Sequence, residues 1–318
     1  MISAPRLAAA VLLATSIAIP AAAQTELTEK FAKTVHLDAN GTFDLTNITG
    51  NIVVTGGGGR DVTIDAIKRV QRPNPNAARA LMQMIDIQVV EQAGRVEVRT
   101  VFPRPRNFPG SVDFTISVPA DASVTLKTIT GSIRATNIKG ELRADAVAGT
   151  ISVAGVTKLE ALKCVTGDVE ITDAAAVDPV MASTVSGNIT VRRLKARAIQ
   201  LGSVSGNIVL EDAVADRLAV RTVQGNLDFA GDLARNGRYE FNSHSGDIHV
   251  ALSGATGFEL LANTFSGSVH SDFAMARRNG GEGQAPVQGQ GVIRGAFGDA
   301  SAMLGLRAFS GNISITRR

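Results

Sequence analysis

The chain has 318 residues, 32 Lys and Arg against 29 Asp and Glu, and a formal net charge of +3. With one Tyr, no Trp and so small a charge, it lacks both the basic footprint and the stacking side chains of a nucleic-acid binder. A single cysteine, Cys164, excludes an internal disulfide framework, and 32 glycines among many Val, Ile, Thr and Ala residues favour β-structure with frequent turns.

The first segment reads as an address. Arg6 precedes an apolar run from Leu7 to Ile19, and Ala21, Ala22 and Ala23 make a small-residue cleavage site before Gln24. The run is about 13 residues, short of the ~20 that a spanning helix needs, so residues 1–23 are expected to be a cleaved signal peptide. Loss of Arg6 lowers the net charge from +3 to +2. No cysteine stands at the cleavage point, and no later apolar stretch is long enough to cross a bilayer. The expected location is therefore exported, in the periplasm or outside the cell.

Residues 24–120 are expected to form a β-rich region. Phe43 and Leu45, Ile52 and Val54, and Val62 and Ile64 alternate as strand residues do, with Gly56 to Gly59 as a turn. Ala77, Leu81, Met84 and Ile85 have helical spacing, which predicts a short amphipathic helix over 76–85 with Asn76 as its N-cap. Residues 86–101 read as a hairpin turning near Ala93 and Gly94, and Val112 to Pro119 as a strand.

From there the chain repeats itself. TVSGNITV around Gly187 and SVSGNIVL around Gly206 belong to a series with corners at Gly131, Gly149, Gly167, Gly225, Gly246, Gly267 and Gly311, and an earlier copy at Gly50. Apolar residues recur two before the glycine (Ile129, Val185, Val204), two after it (Ile189, Ile208) and four after it (Val191, Leu210). Spacing of two marks one face of a strand, and Gly followed by Asn, Asp or Ser suits a corner with positive φ. A unit of about 20 residues cannot bury its own apolar face, whereas stacked units can. The fold class is therefore all-β: a parallel β-solenoid over 121–318, expected to be a right-handed β-helix. Neither a six-residue beat nor the nine-residue calcium-binding repeat is present, so no calcium is implied. Residues 279–291 are polar and Gly-rich and read as a flexible excursion, and the doubled gap from Gly267 to Gly311 leaves room for one degenerate coil. Arg317 and Arg318 are expected to discourage further stacking on an open end.

A strand ending in Val-Pro, followed by recurrent T-x-S-G-[ND]-I units behind a signal sequence, resembles the bacterial putative-adhesin family of envelope β-solenoids, a domain of unknown function. The resemblance runs from about Phe31 to Arg318. It implies an extracytoplasmic β-helix scaffold, and offers no catalytic residues to carry over.

The outward columns hold the candidate chemistry. Asp228, His249 and His270 lie three residues after successive glycines, so they are expected to stack about 5 Å apart on one face. An Asp-His-His set is the type that binds a divalent metal, but an in-line ladder is poor tetrahedral geometry, and an exposed polar ladder is the expectation. His244 takes a column that is apolar elsewhere and is expected to be buried, neutral and hydrogen-bonded, or at a coil mouth. Cys164 aligns with Thr128, Thr184 and Ser203, as a member of a hydroxyl ladder and not a nucleophile. Asp168, Glu170 and Asp173 carry too little to specify sugar hydrolysis. Arg192, Arg193, Lys195 and Arg197 form a basic run that could touch anionic glycan or lipid headgroups, against the plainer reading of a solvated corner.

The expectation is a non-enzymatic, adhesin-like scaffold with no cofactor and no catalytic residue. Its partner would be an envelope protein or a glycan, with no nucleic acid. The alternative is a polysaccharide lyase or hydrolase on a β-helix. The oligomeric state is not legible in the sequence.

Overall fold

In a computed structural model of the chain, residues 25–102, 108–177, 179–276 and 286–318 are described. The signal-peptide reading at 1–23 lies outside them, as does 279–285 of the Gly-rich stretch. The described chain is all-β with one helix. Each repeat supplies a longer strand, a glycine corner and a shorter strand, as in Glu141–Ala148, Gly149 and Ile151–Ala154. Neighbouring repeats pair in parallel and in register: Ala144 sits between Leu126 and Leu162, and Ile151 between Ile133 and Val169. The two resulting faces enclose a continuous aliphatic core, with Leu126, Leu162 and Leu201 on one side and Ile133, Val169 and Ile208 on the other. The architecture is β-solenoid-like.

The corner explains the repeated letters one by one. Gly206 has φ of +153°, and a Cβ there would lie 1.9 Å from the carbonyl oxygen of Gly187 in the coil beneath. Only glycine lets the coils approach at this point. Asn207 continues a ladder: its backbone N–H donates to Oδ1 of Asn188 at 2.9 Å, and its own Oδ1 accepts from the N–H of Asn226 at 2.8 Å. Three residues before six of the glycines a small side chain (Cys164, Thr184, Ser203, Thr222, Ser243 or Thr264) caps the glycine carbonyl of the neighbouring coil. Thr184 Oγ1 donates to Gly167 O at 3.0 Å, and Ser203 Oγ to Gly187 O at 3.2 Å. The Ile at the end of the motif fills the core.

Both ends depart from chain order. The Gly311 coil lies between the Gly246 coil and the Gly267 coil: Ala302–Ser310 pairs with Arg238–Ser245 on one side and with Phe258–Ala274 on the other. The chain thus lays down the outermost coil, turns back through Pro286–Phe297, which runs antiparallel along Phe258–Ala274, and fits its last coil beneath. This corrects three expectations. The gap before Gly311 holds a capping strand instead of a degenerate coil. Residues from Pro286 onward in the Gly-rich stretch are strand. Arg317 lies in an internal strand, Ile313–Arg317, with its guanidinium 4.9 Å above the Phe273 ring.

The N-terminal end repeats the device. Thr42–Thr49 sits between Arg95–Val101 and Ser123–Thr130, so here the later strand is the outer one, the mirror image of the C-terminal end. The hairpin partner Asp86–Gln92 and the antiparallel strands Thr25–His36 and Asp61–Arg72 cover that end, with Gly94 at the expected hairpin turn. The helix spans Pro75–Met82, and its N-cap is Asn74 instead of Asn76: Oδ1 of Asn74 accepts from the N–H of Asn76 at 2.9 Å. Pro75 stands at the first helical position, where no N–H is needed. Ala78 and Met82, four residues apart, are the helix's buried residues.

Candidate functional site

The apolar column two residues before each glycine does not point inward. Ile129, Val147, Val165, Val185, Val204 and Val223 are each about half exposed, Phe309 likewise, and Phe265 is 80% exposed. The residues three and five before the glycine are the buried ones, as Thr128 and Leu126 show. Between positions −3 and +2 the inward parity slips by one residue, because the glycine corner inserts an odd step into the alternation. The expected burial of His244 fails for the same reason, since it stands in this outward column and is exposed.

The outward residues at −2 and −4 flank the small side chains at −3, and together they line a trough along the rod. Its main part has a volume of about 1010 Å³. A second part of about 370 Å³ continues toward the N-terminal end past Ile129 and Val147, and the two share Cys164. In the −2 column, His244 stacks on Phe309 with ring centroids 4.8 Å apart, and Phe309 on Phe265 at 5.0 Å, within 5° of parallel. The order His244, Phe309, Phe265 follows the interleaved coils and not the chain. In the −4 column the same strands present Arg221, Asn242, Arg307 and Asn263 in register. No carboxylate lines the main trough.

A family model described as Toastrack DUF4097 matches residues 112–316, that is, 205 of the 318 residues. The chain belongs to the Toastrack family. Three solved structures are similar to this Toastrack chain at low identity. They are a "putative adhesin" from Bacteroides fragilis (14% identity, 90% of this chain and 97% of that one, TM-score 0.41), a "putative adhesin" from Parabacteroides distasonis (9%, 91% and 97%, 0.41) and a "putative cell adhesion protein" from Clostridium sporogenes (13%, 91% and 100%, 0.25). Comparison with curated proteins gives no match. By its own description the family is a domain of unknown function.

The Toastrack coils redistribute the other candidates. Asp228 pairs with His249, but Ser314 of the interleaved coil stands between His249 and His270. His249 Nδ1 is 2.8 Å from Ser314 Oγ, and His270 Nε2 is 3.0 Å from Asp272 Oδ1. The expected three-coil ladder Asp228-His249-His270 is therefore broken, and no cluster of three metal-ligating side chains occurs among the described residues. No helix among them is long and apolar enough to cross a membrane.

The basic run is partly neutralised. Arg193 holds Asp173 through two contacts, the longer 2.7 Å, and this hydrogen bonding keeps the Asp173 carboxyl below the usual aspartate range. Arg192 Nε meets Glu211 Oε2 at 3.0 Å. Lys195 and Arg197 are exposed. Cys164 is buried, donates to Gly149 O at 3.2 Å and serves in the −3 ladder, and burial pushes its thiol up. Carrying one alternation straight through the glycine hides the trough. Its signal in the sequence is Val or Ile at seven −2 positions, from Ile48 to Val223, beside small side chains at −3.

Proposed function

We propose that this protein is a non-enzymatic interaction module of the bacterial cell envelope, exported by its N-terminal segment, which binds its partner along the outward trough. The reading includes a right-handed winding of the coils. One observation carries it: an outward column from Ile129 to Phe265, nine coils long or about 38 Å at ~4.8 Å per coil, keeps eight large apolar side chains and the His244 ring in water. Contiguous exposed apolar surface of this extent is characteristic of an interaction site. The main trough's polar groups are Arg, Asn, Ser and Thr with His244 and the buried Cys164, and no carboxylate stands among them to pair with the histidine as an acid–base couple. The exposed Lys195 and Arg197 are a secondary contact.

The test compares the mature chain with a Val204→Glu/Val223→Glu double variant. Both positions are exposed, so the fold is expected to survive. The mature chain should be retained by an envelope fraction and the double variant should not. Equal retention would refute the trough as the binding surface. Accumulation of new reducing ends or unsaturated sugars from envelope polysaccharide would instead establish the carbohydrate-active alternative. Export is tested separately, by fractionation and by an N-terminus beginning at Gln24.

A further inference from the structure

The trough has a chemical asymmetry that narrows its ligand, provided that it is the binding surface proposed for this protein. Along its C-terminal half, Val185, Val204, Val223, His244, Phe309 and Phe265 form one wall, six rows and about 24 Å long at ~4.8 Å per row. The row axis is perpendicular to the strands. An added β-strand would run along the strands and pair at an edge, so it does not fit this direction. A linear hydrocarbon does. One leaflet of a bilayer's ~30 Å core is about 15 Å thick, so the wall is long enough for a single acyl chain. The stacked rings also discriminate: Phe309 is covered on both faces, by His244 and Phe265, and offers solvent its edge. At Phe309 the edge-on ring suits an aliphatic chain and denies a sugar ring a flat platform, which only the end of the stack at Phe265, 80% exposed, could offer.

The opposite wall is cationic. Arg221 and Arg307 lie two strands apart with Asn242 between them, and neither pairs with a carboxylate among the described residues. Beyond Arg307 the trough opens into a hollow of about 270 Å³ over Gly305, which shares Asn242 and Arg307 with it and adds Arg294. Two carboxylates also line the hollow. Glu240 is taken by Arg238 at 2.8 Å, which leaves Glu259 against Arg294 and Arg307. An apolar channel leading to a small hollow of excess positive charge matches one chemistry.

We propose that the trough binds a single anionic amphiphile, with its acyl chain along the Val204–Phe309 wall and its phosphate or carboxylate head among Arg221, Arg307 and Arg294. Two glycines provide clean tests. At Gly202 a Cβ would have nothing within 4 Å, and at Gly305 its nearest neighbour would be 3.7 Å away, so bulk can be added to the channel or the hollow without strain.

The experiment uses the mature chain and monomeric lysophosphatidylglycerol, with monoacylglycerol of the same chain length as the neutral probe and glycerol phosphate as the head alone. Native mass spectrometry and calorimetry should give one lysophosphatidylglycerol per chain, bound at least tenfold tighter than either partial probe. Gly202→Leu should weaken binding tenfold or more, and Arg221→Gln/Arg307→Gln should remove the preference for the anionic probe while keeping the neutral one. Three results would overturn the proposal: no binding, binding unaffected by Gly202→Leu, or binding only to vesicles and never to monomeric lipid. If lipid binding fails while Val204→Glu/Val223→Glu still abolishes envelope retention, the interaction reading stands and the amphiphile does not.

Discussion

Gly206 and Gly202 lie four residues apart in one coil, and alanine should have opposite consequences at the two. At Gly206 the new methyl would stand 1.9 Å from Gly187 O, so the coils must part by about 1.1 Å merely to reach 3.0 Å. That movement breaks the Asn207 N–H to Asn188 Oδ1 bond (2.9 Å), the Ser203 Oγ to Gly187 O bond (3.2 Å) and the Ile189 N–H to Asn207 O bond (3.0 Å). Three hydrogen bonds at about 1 kcal/mol each, with about 1–3 kcal/mol for a side chain at this φ, give a loss of about 4 kcal/mol or more. In a domain of this size that corresponds to a fall of roughly 8 °C in Tm, at about 2 °C per kcal/mol. At Gly202, which has open space and no positive φ, alanine removes backbone freedom from the unfolded chain and should be neutral or stabilise by about 0.4–1 kcal/mol. Urea and thermal denaturation of Gly206→Ala and Gly202→Ala, followed by circular dichroism, measure the difference directly. Unfolding free energies for the two variants that agree within about 1 kcal/mol would refute the argument that coil-to-coil approach dictates the corner glycine.

Tyr239→Phe should cost about 2 kcal/mol, because the fully buried hydroxyl donates to Ala215 O and accepts from the Ala234 N–H, both at 2.8 Å. Equilibrium unfolding checks it. Cys164 should resist iodoacetamide at pH 8 in the native protein and react at once in denaturant, since burial holds the thiol neutral; fast native labelling would contradict the placement. The Asp173 carboxyl should titrate below an ordinary aspartate and return toward it in Arg193→Gln, followed by NMR. A depressed folded pKa means that any stability from this pair is present above the unfolded pKa and lost as pH falls through the folded one.

The coil and its interior were legible because they are periodic. Ile133, Ile151, Val169, Ile189 and Ile208 recur at two after the glycine and all are buried. The hydroxyl column was legible too, since Cys164 takes the place Thr and Ser take elsewhere. The outward trough was not, because a residue in the bent part of a strand keeps its hydrophobicity in the sequence while its direction depends on a single φ. Val204 and Ile208 look alike in the sequence, and Gly206 at +153° sends one to water and the other to the core. The spatial order of the coils was illegible for another reason. Gly246, Gly267 and Gly311 carry equivalent corners, and equal corners stack equally well in any order, so the choice falls to Pro286–Phe297 and its antiparallel pairing. The broken Asp228-His249-His270 ladder results from that choice.

The interleaved ends make the rod a measured length. A solenoid whose final coil is also its outermost one can be lengthened by adding sequence at its terminus, and two such rods can grow into a fibre. Here the last coil is clamped between two others, and hairpin and antiparallel strands lie across both mouths. New coils can enter only by duplication within the regular middle, each lengthening the trough by one row while both end-pieces stay as they are. The protein is thus built like a ruler with fixed end-stops, on which the reach of the binding surface changes independently of what closes it.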